Sequence, residues 1–198
     1  VPSCDFITFT CYKTLMGGRG GVILAKPKYG SKIDRAIFPG SQGTSAVNLI
    51  AAKAHIFKLA TQPKYTRIQQ NTLDNAVCMA SALQQRGYRI VTGGTETHQV
   101  LVDVTPKGLD GNKVEKTLES LGIIVNRNVI PQDAVRPGAV SGVRLGTAAL
   151  STRGMRKPQM IQIADLIDLG LKDPDNSETK NQISLKVSQL CKEFPVYR

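Results

Sequence analysis

The sequence Lys13-Thr14-Leu15-Met16-Gly17-Gly18-Arg19-Gly20-Gly21 marks the turn on which the predicted fold depends. It follows the β-rich residues 5–10 and precedes the short apolar run 22–25, so it predicts a glycine-rich turn between two strands. Loops at strand ends carry binding and catalytic side chains in α/β folds. A desolvated lysine among other cations can lose its proton and attack a carbonyl carbon to form an imine. An ordinary turn is nevertheless the more frequent explanation of such a stretch taken alone.

Elements on the C-terminal side of this turn alternate between helices and strands. Ser45 is expected to cap a helix that runs through Leu59 and that Pro63 interrupts, and Gly87 is expected to end the next helix at its C′ position. The apolar face of that long helix is predicted to consist of Ile68, Leu73, Val77 and Leu83. The predicted helices are residues 33–37, 45–59, 65–85, 110–121, 157–169 and 177–194, and the later predicted strands are 88–91, 98–104, 123–125 and 143–145.

This order predicts an α/β chain in which the arrangement of helices and strands changes near residue 87. Beyond it, strands and helices alternate as in a small α/β domain with helices on one side of a mainly antiparallel sheet. Val100, Val102 and Val104 share one face of their strand, so that face is expected to be covered. We therefore divide the chain into residues 1–62, a connecting helix 63–87, and a small C-terminal domain 88–198.

Composition narrows the class of partner. The 198 residues carry a net charge of +11, and residues 1–65 hold nine Lys or Arg against only Asp5 and Asp34. No run of basic residues and few aromatics accompany this charge, which favours an anionic small ligand or an acidic partner over nucleic acid. No apolar run approaches the ~18 residues of a membrane span. The four Cys and two His lack the spacing of a metal site, so no metal is predicted.

Two further segments have the composition of ligand-binding elements. In Ser141-Gly142-Val143-Arg144-Leu145-Gly146-Thr147, an arginine lies in a short strand between glycines, where its guanidinium can bind a carboxylate through two parallel hydrogen bonds. The alternative is an edge-strand arginine that points into solvent. Phe38-Pro39-Gly40-Ser41-Gln42-Gly43-Thr44 predicts a loop whose backbone N–H groups can hold an anion, or else an ordinary turn.

Taken together and in order, these segments resemble the serine hydroxymethyltransferase family, fold-type I enzymes that use pyridoxal phosphate. The resemblance extends over essentially the whole chain and matches the C-terminal half of that family only. Further matching segments are Arg86-Gly87-Tyr88, Gly93-Gly94-Thr95, Val125-Asn126-Arg127-Asn128 and Cys191-x-x-Phe194-Pro195-Val196-Tyr197. The resemblance implies that residues 1–62 end a large cofactor-binding domain and that residues 88–198 form the family's small domain.

The resemblance also implies roles for individual residues. Lys13 matches the lysine that carries pyridoxal phosphate covalently, and Arg19 an arginine that holds the loop beside it. Arg144 matches the arginine that binds the substrate α-carboxylate. Gly43 and Thr44 match a loop that reaches the cofactor phosphate of a neighbouring subunit. Asn128 matches the contact to the pteridine ring of tetrahydrofolate, the implied co-substrate.

The implied reaction is retro-aldol cleavage of serine to glycine, with transfer of the one-carbon unit to tetrahydrofolate. The implied enzyme is a cytoplasmic homo-oligomer, a dimer or tetramer, although an organelle matrix is an alternative compartment. It is expected to have no nucleic-acid or membrane partner. Because the family's N-terminal half is absent, the 198 residues are expected to be a fragment that is inactive alone.

Four residues depart from the family pattern. Tyr12 stands in place of the usual His before the cofactor lysine, Gly18 and Ala148 in place of Pro, and Thr44 in place of Gly. A phenol binds its proton far more tightly than an imidazole, so proton handling beside Lys13 is expected to differ. The alternatives are a specialised relative, such as an α-methylserine hydroxymethyltransferase or a threonine transaldolase, or a non-catalytic interaction module.

Overall fold

The computed structural model describes residues 3–131, 133 and 138–197. It forms two compact units, which meet in sequence between Thr66 and Arg67. The strands are β1 (Phe6–Thr10), β2 (Gly21–Ala25), β3 (Arg89–Ile90), β4 (Gln99–Asp103), β5 (Asn126–Asn128) and β6 (Gly142–Gly146). The α-helices are α1 (Gly30–Ile37), α2 (Val47–Ala60), α3 (Pro63–Gln85), α4 (Gly111–Ser120), α5 (Ala148–Thr152), α6 (Lys157–Lys172) and α7 (Ser177–Glu193).

The first unit is built around an antiparallel hairpin of β1 and β2. Its register runs from Phe6 opposite Ala25 to Thr10 opposite Gly21, so the predicted glycine-rich turn connects the two strands. Cys11 and Ile56, the latter on α2, are its buried apolar side chains among the described residues. The turn that carries Lys13 therefore rests on α2.

The second unit is a four-stranded antiparallel sheet in the order β3-β4-β6-β5. One face packs on the helices, because Val100, Val102, Val143 and Leu145 belong to one core cluster with residues of α3, α4 and α6. The expected coverage of the valine face of β4 is thus confirmed. Side chains alternate across a strand, so Leu101 and Arg144, which are paired across β4 and β6, project from the opposite face.

The α/β class with helices on an antiparallel sheet is confirmed, but the prediction of a strand at residues 123–125 is wrong. The edge strand is Asn126–Asn128. Helix α4 ends at Ser120, and Gly122 follows at the C′ position with a φ of +78°. The N–H of Ile123 caps the helix by donating to the Leu118 carbonyl at 2.9 Å. That N–H is consequently not available to a strand ladder, despite the β-branched residues that follow.

One prediction about a helix end is also wrong, and another is confirmed with a different boundary. Helix α2 begins at Val47 with Ala46 as its N-cap, and no side chain caps it, so Ser45 does not have the predicted role. Pro63 separates α2 from α3 as predicted, and it also begins α3, which was expected to start at residue 65. Proline is tolerated there because the first-turn N–H groups have no partner within the helix. Gly87 has the left-handed φ of +84° expected at C′.

The buried face of α3 agrees only in part with the predicted one, in which Leu83 is buried as expected. Leu73 and Val77 are 39% and 54% exposed. The buried positions instead include the polar Thr72 and Asn75. Thr72 donates its hydroxyl to the Ile68 carbonyl at 2.8 Å, and Asn75 donates to Ser151 Oγ at 2.9 Å and to the Met155 carbonyl at 3.0 Å. Polar groups that are satisfied in this way can occupy a core face.

Asp103 holds β3 to β4 at the end of their hairpin. It is only 3% exposed, and its carboxylate accepts from the Thr105 N–H at 2.9 Å, the Thr105 hydroxyl at 2.7 Å and Arg89 Nε at 2.8 Å. Burial by itself would raise the pKa of Asp103, but these donors outweigh it and hold the pKa below the ordinary 3.8. The charged form is therefore the one that the fold stabilises.

Acid is expected to remove the stabilisation of the fold that the charged Asp103 carboxylate provides. Because the folded pKa lies below the unfolded one, the stabilisation is complete above the unfolded value and is lost as the pH falls through the folded pKa. At neutral pH, Asp103→Asn should lower the free energy of unfolding by about 1–3 kcal/mol. Urea titrations at decreasing pH should show the gap to wild type closing below about pH 4. A gap that is independent of pH would contradict this role of the charge.

Candidate active site

The segment that carries Lys13, residues 11–20, is a compact turn, which we call the lysine turn. The N–H of Cys11 donates to the Gly20 carbonyl at 3.0 Å, and the Cys11 carbonyl accepts from the Gly17 N–H at 2.7 Å. The N–H of Met16 donates to the carbonyl of Lys13 at 2.9 Å. Cys11 is completely buried, whereas Lys13 is exposed. The backbone of the turn is thus fixed while the amine projects from it.

The structure brings Tyr12 and Arg19 together beside Lys13. The Arg19 guanidinium lies 5.1 Å from the centroid of the Tyr12 ring, a cation–π geometry. Tyr65, at the start of α3, donates its hydroxyl to the Thr14 carbonyl at 3.3 Å. No ion pair to Lys13 is present among the described residues. A desolvated amine was expected at Lys13 from the sequence. Because Lys13 is exposed, the first unit by itself does not remove water from this amine.

The lysine turn packs closely on α2, which explains its glycines. A Cβ at Gly17 would lie 2.6 Å from Ile56 Cγ2, and one at Gly18 would lie 2.9 Å from the Ala52 Cβ. Neither contact is possible unless the turn or its neighbour on α2 shifts. The Ala52 methyl group thus occupies the room that a side chain at position 18 would need.

This contact predicts a compensating pair of substitutions. Gly18→Ala should lower the free energy of unfolding by about 1–3 kcal/mol, because it forces overpacking against Ala52. Adding Ala52→Gly should recover part of that loss, although glycine itself costs about 1 kcal/mol within a helix. A thermodynamic cycle by urea unfolding measures the coupling. Gly43→Ala is the control, since a Cβ at Gly43 would meet nothing within 4 Å. Strictly additive effects of Gly18→Ala and Ala52→Gly would rule out the contact between these two positions.

The loop of residues 38–44 is exposed along most of its length. Gly40 is required there, since a Cβ would come within 2.5 Å of the Ala36 carbonyl oxygen. Gly43 and Thr44 are exposed, so their backbone is accessible to a ligand or to another chain.

In the second unit, Arg144 lies in an open cleft of about 720 Å³ on the face of the sheet opposite the core cluster. We call it the arginine cleft. Its lining comprises residues 92–97 and Gln99 together with Leu101, Asn128 and Arg144. The side chain of Arg144 is exposed and, among the described residues, forms no salt bridge. Its neighbours on the adjacent strands are Leu101 and Asn126.

The shifted edge strand explains why Asn128 joins this cleft. β5 pairs with β6 so that Asn126 lies opposite Arg144 and Asn128 opposite Gly142, on the same face. Arg127, between them, points to the other face and pairs with Glu115 at 3.2 Å. The structure therefore places Arg144 and Asn128 together in unit 2, and Tyr12, Lys13 and Arg19 together in unit 1.

Sequence reasoning missed the residues that support the arginine cleft. Thr147 is fully buried, and its hydroxyl donates to the Thr72 carbonyl at 2.8 Å. Helix α5, which was not predicted, follows it and carries Ser151, the partner of Asn75. Thr147 belongs to the glycine-flanked motif around Arg144, so its position in that motif was the available signal.

The exposed groups allow two kinds of chemistry. A primary amine with no ion pair among the described residues fits a cofactor that carries an aldehyde, because the amine must be free to condense. A guanidinium in an open cleft fits a carboxylate. Across the described ranges, no group of three or more His, Cys, Asp or Glu is placed to hold a metal ion. Within the same residues, no helix is long and apolar enough to cross a membrane.

Comparison with known proteins identifies the family. The model of the serine hydroxymethyltransferase family matches residues 1–167. A curated serine hydroxymethyltransferase of Nitrosomonas europaea is 44% identical over 197 residues, which cover 100% of this chain and 47% of that protein. The chain thus spans about half the length of this relative. Its sequence and its α/β fold agree with the expectation drawn from the motifs: the chain belongs to the serine hydroxymethyltransferase family.

Proposed function

We propose that the chain acts as the C-terminal half of a pyridoxal-phosphate-dependent serine hydroxymethyltransferase. The enzyme would cleave serine to glycine by a retro-aldol reaction and transfer the one-carbon unit to tetrahydrofolate. The observation that carries the proposal is the exposed Arg144 in the arginine cleft, with no salt bridge among the described residues. Membership of the family supports the reaction class.

Lys13 would hold the cofactor, since its amine projects from a fixed turn. When bound, pyridoxal phosphate supplies an electron sink that stabilises a carbanion at the amino-acid Cα. Arg19 and Tyr12 would set charge and proton affinity beside the amine, as a stacked pair. Gly43 and Thr44, on an exposed loop, would reach the cofactor phosphate of a second subunit in a homodimer or tetramer.

Arg144 would bind the substrate carboxylate and so orient the amino acid. The orientation decides which bond at Cα is broken, because the bond perpendicular to the cofactor ring is the one that is weakened. Asn128, on the same face of the sheet, would contact the pteridine ring of tetrahydrofolate. An amino acid and a folate would then be recognised by neighbouring strands of one cleft.

A specialised relative is the second candidate, and the Tyr12–Arg19 contact favours it. A phenol held under a guanidinium replaces the family's imidazole beside the cofactor lysine. An α-methylserine hydroxymethyltransferase or a threonine transaldolase would use the same cleavage with a different donor or acceptor. A non-catalytic module is disfavoured, because a binding-only descendant needs neither Lys13 nor Arg144.

The test compares substrates in the complete enzyme, with this chain joined to the N-terminal half that the proposal requires. Serine cleavage that requires tetrahydrofolate supports the proposed reaction. Cleavage that requires an aldehyde acceptor identifies a transaldolase, and preference for α-methylserine identifies the other relative. The isolated chain should be inactive, because it would lack the part of the site contributed by the N-terminal half. Turnover of serine by the isolated chain would contradict the proposed division of the site.

A further inference from the structure

Thr147 connects the strand of Arg144 to the border of the arginine cleft. It follows Arg144 by three positions and is fully buried. Its N–H donates to the His98 carbonyl at 3.0 Å. Its hydroxyl lies 2.8 Å from the Thr72 carbonyl and 3.2 Å from the same His98 carbonyl. Since a hydroxyl has one hydrogen, the shorter contact to Thr72 is its principal bond.

His98 ends the segment that forms one side of the cleft. We call residues 92–98 the rim, since residues 92–97 line the cleft and His98 leads into β4. The last paired residues of β4 and β6 are Gln99 and Gly146. The bond between Thr147 and His98 therefore extends this pairing by one residue, to the point where the rim begins.

The rest of the rim is held mainly by its own side chains. Thr95 donates its hydroxyl to the Gln99 carbonyl at 2.6 Å, and the Thr97 N–H donates to Thr95 Oγ1 at 3.1 Å. Gln84 of α3 donates to the Gly93 carbonyl at 3.0 Å, at an exposed site. Thr147 supplies the buried attachment, and it does so through both α3 and the rim.

We propose that Thr147 is a positioning residue whose buried hydroxyl ties the end of the Arg144 strand, and with it the rim, to α3 and so fixes the place of the rim in the amino-acid-binding cleft. This inference rests on the proposed function of Arg144 as the carboxylate ligand. Loss of the hydroxyl removes the bond to α3 and the additional contact to His98, while the backbone pairing remains. The end of β6 and the rim are then free to move relative to α3, and the substrate must restore the geometry of the cleft when it binds.

The kinetic test uses the complete enzyme and two substitutions at this position. Thr147→Val keeps the size of the side chain and should raise KM for serine about fivefold to tenfold with little change in kcat, as expected for one lost hydrogen bond. Thr147→Ser keeps the hydroxyl and should restore KM. Ile183→Val shortens a fully buried side chain of α7 and controls for stability. If it raises KM as much as Thr147→Val does, or if Thr147→Ser does not restore KM, the proposal is wrong.

Hydrogen exchange on the full 198-residue chain separates this proposal from the assignment of function. Thr147→Val should increase amide exchange in residues 92–99, and Thr147→Ser and Ile183→Val should not. Unchanged exchange in Thr147→Val would overturn the proposal even if the enzyme cleaves serine. Increased exchange in Thr147→Val, in a protein that proves unable to bind serine, would support the role of Thr147 in attaching the rim. It would refute the proposed function alone.

Discussion

Arg144→Ala is expected to weaken amino-acid binding by about 10²–10³-fold, corresponding to two lost charge-assisted hydrogen bonds. The side chain is exposed on the face of the sheet opposite the core cluster, so its removal should leave the melting temperature nearly unchanged. Arg144→Lys should fall between the alanine variant and wild type, because an ammonium keeps the charge but not the planar pair of donors. KM for serine and the Kd of glycine measure the effect.

Arg127 provides the matched control on the neighbouring strand. Arg127→Ala removes the same charge from the opposite face, where the guanidinium pairs with Glu115. It should leave KM for serine within about twofold of wild type, since a surface ion pair contributes little. Serine affinity that survives Arg144→Ala, or an equal loss in both variants, would exclude Arg144 as the carboxylate ligand.

Lys13→Ala is expected to abolish covalent attachment of pyridoxal phosphate in the complete enzyme. Wild type should absorb visible light and retain the cofactor after treatment with borohydride, and the variant should do neither. Lys13→Arg should fail as well, because a guanidinium remains protonated and cannot attack the aldehyde. Serine cleavage should fall by about 10²–10⁴-fold, the contribution of a positioned group that transfers protons.

Lys28→Ala is the control for loss of a lysine in the same unit. Lys28 is exposed and lies 4.8 Å from the Tyr29 ring centroid, away from the lysine turn in sequence. Its removal should leave cofactor attachment and cleavage unchanged. Borohydride-stable attachment in Lys13→Ala would show that another amine carries the cofactor, and the assignment of Lys13 would then be wrong.

The sequence predicted those parts of the fold that depend on strong local signals. Glycine-rich turns, the alternating valines of β4 and the helix stop at Gly87 were all found where the structure has them. The same pattern reasoning failed at residues 123–125, where three consecutive β-branched residues predicted a strand. There, the capping bond of Ile123 decided the outcome, and such a bond depends on where the preceding helix ends.

The candidate site was predictable as a set of residues but not as an arrangement. Lys13, Arg144 and Asn128 could be named from motifs, whereas the shared face of Asn128 and Arg144 follows from strand register alone. Thr72, Asn75 and Thr147 were missed because hydrophobic periodicity places polar residues outside the core. Their burial depends on partners 75 or more positions away in sequence, which local patterns do not contain.

Helix α3 restricts where this polypeptide can be truncated or joined to another chain. Its first turn contributes Tyr65, which bonds to Thr14, and its next turns contribute Thr72 and Asn75, which bond to the segment after Arg144. A scission at the unit boundary, between Thr66 and Arg67, would therefore fall inside one continuous helix. Truncated pieces or chimaeras joined at that point would leave helical N–H and C=O groups without their partners. Viable crossover sites should therefore lie on either side of residues 63–85.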